Sequence, residues 1–144
     1  MGGISLPYAT QTDENGVIFH KPYIDGILTY SSASLRAKML VDSGADCCSI
    51  PLGFGQALKL EKPKESEIEN TNGVGGSARY VKRQIKLQFN FYDRHSFSFD
   101  AEFHWLIDMN NIPVLLGRKG FFDKFNSVNF FEKQHIIELN NPPK

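Results

Sequence analysis

The segment Met39-Leu40-Val41-Asp42-Ser43-Gly44-Ala45-Asp46 runs an apolar stretch straight into a carboxylate, a hydroxyl and a glycine. A carboxylate at the end of a buried strand is costly to desolvate unless neighbours manage its ionisation, which makes Asp42 a candidate for proton chemistry. Gly44 permits the tight turn that exposes such a group, and the Ser43 hydroxyl can hydrogen-bond across that turn and fix its shape. Taken alone, Asp-Ser-Gly reads as a plain turn tripeptide. Two further segments bear on the choice. Gly73-Val74-Gly75-Gly76 gathers three glycines ahead of a long alternating stretch beginning at Val81. That composition suits a hairpin tip whose backbone can approach a ligand closely. Pro113-Val114-Leu115-Leu116-Gly117-Arg118 reads as a short buried strand, a glycine break and an arginine opening a helix.

Other chemistries find less support. His20, His95, His104 and His135 are scattered without ligand spacing, so no metal site is expected, and no cofactor is implied. Cys47 and Cys48 are adjacent, a poor geometry for a mutual disulfide or a zinc site, and read as small buried hydrophobes in a reducing compartment. Asp93, Asp100, Asp108 and Asp123 lack a following hydroxyl and glycine. The glycine-rich stretch lacks the Lys-Ser/Thr of a phosphate loop. The 144 residues carry 16 Lys+Arg against 16 Asp+Glu, so nothing attracts phosphate backbones or anionic lipid broadly, and neither nucleic acid nor membrane is an expected partner. No window approaches 18 consecutive apolar residues, which excludes a transmembrane helix on sequence grounds. The opening residues lack the pattern of a signal peptide, and a cytoplasmic location is expected unless the chain is excised from a longer protein.

These residues need a scaffold, and the dominant sequence period is two. In Val81–Phe91 the odd positions Val81, Ile85, Leu87, Phe89 and Phe91 are apolar, with Arg83 the single exception. Ser96–Ile107 repeats the alternation through Phe97, Phe99, Ala101, Phe103, Trp105 and Ile107, with Trp105 assigned to the core. The two form an antiparallel ribbon joined by Tyr92-Asp93-Arg94-His95. Hairpins are also predicted for Tyr23–Tyr30 with Leu35–Val41, and for Val128–Phe131 with His135–Leu139. Val114–Leu116 is a buried strand. Short helices are predicted at Gly53–Leu60 and, with better periodicity, Gly117–Phe125, while Glu61–Thr71 reads as an exposed connection. Residues 1–16 read as a flexible lead-in and 17–140 as one mainly β domain.

With the three blocks in place, the sequence resembles the retropepsin-like, or retroviral-type, aspartic proteases over about residues 20 to 140. Leu40–Asp46 is similar to the family's catalytic motif, Gly73–Gly76 to its glycine-rich flap, and Val114–Arg118 to the block before its C-terminal helix. Ser43 stands where viral members often have Thr, and a hairpin-like C-terminus replaces one short strand. Both features look closer to cellular and bacterial members. The resemblance implies a single-domain acid-protease β-barrel with one or two short helices, cutting extended peptides. Two aspartates sharing one proton around a water is the known arrangement of this enzyme class. With one Asp-Ser-Gly in the chain, the second carboxylate would come from a second copy, in a two-fold homodimer. The resemblance further implies that Ser43 bonds across the dimer axis and that Gly44, beside Ala45, turns its carbonyl to substrate. By the same resemblance Asp46 pairs with Arg118, and Gly73, Val74, Gly75 and Gly76 close over the peptide. An alternative keeps the fold as a catalytically silent dimerisation or peptide-binding module.

Overall fold

The computed structural model describes residues 3–73, 76–91 and 96–143. Val74 and Gly75 of the glycine-rich stretch, and the expected loop Tyr92–His95, lie outside the described residues.

Six strands form a ring. β4 (Tyr23–Tyr30) pairs with β5 (Ala33–Val41), β5 with β10 (Val114–Leu116), and β10 with β6 (Cys48–Pro51). β6 then pairs with β9 (Ser96–Leu106), and β9 with β8 (Gly76–Asn90). The pairs Ile27↔Gln88, Leu28↔Leu87 and Thr29↔Lys86 return β8 to β4 and close the barrel. β7 (Glu69–Gly73) extends only the first part of β8.

The alternation predicted for β8 and β9 is the burial pattern observed. Val81, Ile85, Leu87, Phe89, Phe97, Ala101, Phe103 and Trp105 all point into the core. The ladder from Tyr80↔Leu106 to Asn90↔Ser96 makes the antiparallel ribbon. The β4–β5 hairpin turns through Ser31, which adopts a φ of 54°. Phe89, Phe97, Phe121 and Phe125 cluster through tilted and edge-to-face contacts, with centroids of Phe121 and Phe125 4.9 Å apart. The short helix α1 (Leu52–Ala57) sits where Gly53–Leu60 was expected to be helical. It packs through Gly55 directly on the Trp105 indole, whose N–H donates to the Leu52 carbonyl at 3.2 Å.

Three expectations are corrected. Residues 3–12, read as a flexible lead-in, form two strands. β1 (Gly3–Pro7) pairs with β12 (Ile136–Asn140), which also pairs with β11 (Ser127–Phe131). Burial of Ile4 and Tyr8 holds β1 in place. β2 (Ala9–Thr12) pairs with β3 (Ile18–Lys21) as a separate two-stranded sheet. Second, Gly117–Phe125 is not an α-helix but a bend ending in a 3-10 turn, Phe122–Lys124. Gly120 takes a φ of 104°, outside the helical region, so the amides of Phe122 and Asp123 reach back to the carbonyls of Gly117 and Arg118. Third, Glu61–Thr71 is not merely a connection, since it holds a 3-10 turn, Glu65–Glu67, and the start of β7.

Candidate active site

Asp42 follows β5 directly. β5 lies between β4 and β10, with Met39 and Val41 buried, so the strand end is fixed from both sides. The Val41 amide donates to the Pro22 carbonyl at 2.9 Å and the Asp42 amide to the Leu116 carbonyl at 3.0 Å. Asp42 itself is half-buried. Its Oδ1 accepts the Gly44 amide at 2.9 Å, and its carbonyl accepts the Ala45 amide at 3.1 Å, closing a tight turn. Ser43 and Gly44 are exposed at the tip of that turn, beside the half-buried Asp42.

The loop is then clamped to the bend after β10. The Arg118 amide donates to the Ala45 carbonyl at 2.9 Å and the Lys119 amide to the Asp46 carbonyl at 2.8 Å. This contact needs a glycine at 117. A Cβ there would overlap the Cys47 carbonyl and stand 2.9 Å from the Ala45 oxygen. Cys48 is fully buried beneath, its Sγ accepting the Gly117 amide at 3.4 Å and donating to the Lys119 carbonyl at 3.7 Å. Burial pushes its thiol up to about 12, so it stays protonated and serves as a neutral packing group. Cys47 is half-exposed rather than buried.

Asp46 and Arg118, expected to form an ion pair, do not meet. Both side chains are exposed, and the ion pairs among the described residues are Arg79–Asp108, Lys82–Glu69 and Arg83–Glu67. The two segments are joined by backbone instead.

The two described residues of the glycine-rich stretch lie at one end of a hairpin. Gly73 and Gly76 are directly paired, and the ladder runs from there to Glu69↔Tyr80. Its root is held by side chains not singled out as functional from sequence. Arg79 takes Asp108 bidentately, at 2.8 and 3.0 Å. Arg83 is 8% exposed and serves three carbonyls, those of Glu61, Lys62 and Lys82, together with both Glu67 oxygens at 2.9 and 3.2 Å. The adjacent guanidinium groups hold the Glu67 and Asp108 carboxyls below their ordinary range. The signal that could have found Arg83 was its place on the apolar face of β8, where a charge must be partnered.

No protein-family model and no curated protein sequence matches the chain. Solved structures do. A retropepsin-like aspartic protease from Rickettsia conorii superposes with a TM-score of 0.58 at 13% identity, covering 96% of this chain and 99% of that one. EIAV protease complexed with the inhibitor HBY-793 aligns at 19% identity over 68% of this chain and 82% of that one, but its TM-score of 0.45 is too low to weigh in the argument. On the near-complete overlap with the rickettsial structure, this chain has the fold of the retropepsin-like aspartic proteases.

Proposed function

We propose that the chain is an aspartic endopeptidase, active as a homodimer, that hydrolyses extended peptides through two Asp42 carboxylates and a water between them. The observation that carries this reading is the Asp42 turn. A half-buried carboxylate, oriented by the Gly44 amide, stands at the end of a barrel strand and is clamped by the Gly117 bend. A pure binding module has no need of a carboxylate so placed. In the two-fold dimer the carboxylates lie close together. Two like charges about 3 Å apart cannot both ionise, so one keeps its proton as the acid and the other takes a proton from water as the base. The hydroxide equivalent adds to the peptide carbonyl, and the leaving amine takes the proton back. Ser43, exposed beside Asp42, bonds across the axis, and the Gly44 carbonyl, beside Ala45, faces substrate backbone. The β7–β8 hairpin, in which Gly73 pairs with Gly76, acts as the flap, and the peptide adds as a strand between flap and floor.

The test is cleavage of an unfolded protein at acidic pH, with and without a statine-type inhibitor, by the natural chain and by Asp42→Asn. The substitution is expected to lower the rate at least about 10³-fold with the fold retained. Cleavage by Asp42→Asn at the natural rate overturns the assignment.

A further inference from the structure

The β2–β3 hairpin is an anomaly in this molecule. Every residue from Thr10 to Lys21 is exposed, yet Val17, Ile18 and Phe19 are three of the five large hydrophobic side chains left exposed among the described residues, at 49%, 59% and 47%. A lone two-stranded hairpin is marginally stable in water, and this one pairs with no other sheet. A ring stack, His20 on His135 at 3.8 Å, ties β3 to the turn between β11 and β12.

The place of the hairpin indicates what covers it. β4 runs antiparallel to β5, so its first residue, Tyr23, lies across from Leu40, and the Pro22 carbonyl accepts the Val41 amide. β3 therefore leaves the barrel at the end where Asp42 stands. That is the end at which a second copy must stand if two Asp42 carboxylates are to meet. Three side chains of this size offer on the order of 300 Å², well short of the roughly 800 Å² per partner of a stable interface. The arm is thus one part of a larger contact rather than an independent docking site.

We propose that the β2–β3 hairpin is a dimer arm that inserts against a second copy of this chain, with Ile18 on one face and Val17 and Phe19 on the other, as it brings the two Asp42 loops together. The proposal rests on the homodimeric reading above, and the test separates the two. Sedimentation velocity and peptide cleavage are followed over a range of protein concentrations for the natural chain and for Ile18→Asp combined with Phe19→Asp. The expected result is a dimer dissociation constant raised at least about tenfold, with activity lost on dilution and restored at high concentration. Because the substitutions could unfold the arm, amide exchange of Ile18–Lys21 in the natural chain is measured as well, and protection is expected to rise with protein concentration. A variant that dimerises like the natural chain, or arm amides indifferent to concentration, overturns the arm while leaving the homodimeric protease intact. Protection that follows added unfolded protein instead of protein concentration assigns the arm to substrate and also overturns it. A natural chain that is monomeric throughout overturns both readings.

Discussion

The two walls of the proposed cleft are held by different forces. The Asp42 floor is fixed almost wholly by backbone: four amide–carbonyl bonds link residues 41–46 to Pro22, Leu116, Arg118 and Lys119, with a glycine and a buried neutral thiol packed beneath. The β7–β8 wall runs on into barrel strand β8 through the β8–β9 ladder, and at its root the backbone is supplemented by charge, through Arg79–Asp108 and Arg83–Glu67. Backbone bonds in a packed turn do not titrate and are little affected by salt. Ion pairs respond to both, the exposed Arg79–Asp108 pair more to salt than Arg83–Glu67, whose guanidinium is buried. The proposed activity calls for a floor that keeps its carboxylates in register and a wall that can open, and the division of forces matches that need.

The largest effect expected is at the floor. Gly117→Ala places a methyl into the Cys47 carbonyl, where the obstructing atoms are backbone and no side-chain rotation relieves the overlap. The cost should be about 3 kcal/mol or more, with activity lost even in folded protein because the Asp42 turn must shift. Thermal unfolding, together with exchange of the Ala45, Arg118 and Lys119 amides, measures it. A loss below about 1 kcal/mol with unchanged exchange would show that the clamp is not what holds the loop.

The wall should respond to acid first. Glu67 and Asp108 both have carboxyls depressed by a guanidinium in the folded chain, so their contribution is complete above the ordinary values of 4.5 and 3.8. It is lost as pH falls through the lower folded values, the unfolded chain then binding protons more readily. Amides of Glu69–Gly73 and of the paired start of β8 should therefore lose protection below about pH 4 while the barrel strands keep theirs. Glu67→Gln should bring the same loosening at neutral pH. Hairpin exchange that stays flat down to pH 2, after correction for intrinsic rates, would mean that the charges do not fasten the wall.

The same division explains what could be read in advance. β8 and β9 were legible because period two and burial coincide over a long run, and the tight turn after β5 because its residues, Asp42, Ser43 and Gly44, are consecutive. β1 was not, since the partner that buries Ile4 is β12, at the far end of the chain, and a short polar lead-in carries no mark of that pairing. The bend at Gly117–Phe125 looked helical because Phe121, Phe122 and Phe125 have helical spacing. The left-handed turn at Gly120 and the core positions of Phe121 and Phe125 supply the same stripe without a helix. Arg83 broke the β8 pattern visibly, but its partners come from a segment that reads as mere connection.

The smallest effect concerns Asp46 and Arg118, and it bears on whether charge contributes to the floor at all. Both side chains are exposed and unpaired with each other, while their backbones make the contacts that join the loop to the bend. Lys at 118 keeps the amide, and Asn at 46 keeps the carbonyl, so each change should cost within about 0.5 kcal/mol, and the two together should be additive. Melts of the single and double variants test this, with cleavage rates in parallel. If Arg118→Lys and Asp46→Asn each lowered stability and activity and the double variant lost no more than either, the two side chains would meet in the assembled dimer. The floor would then, like the wall, depend on charge.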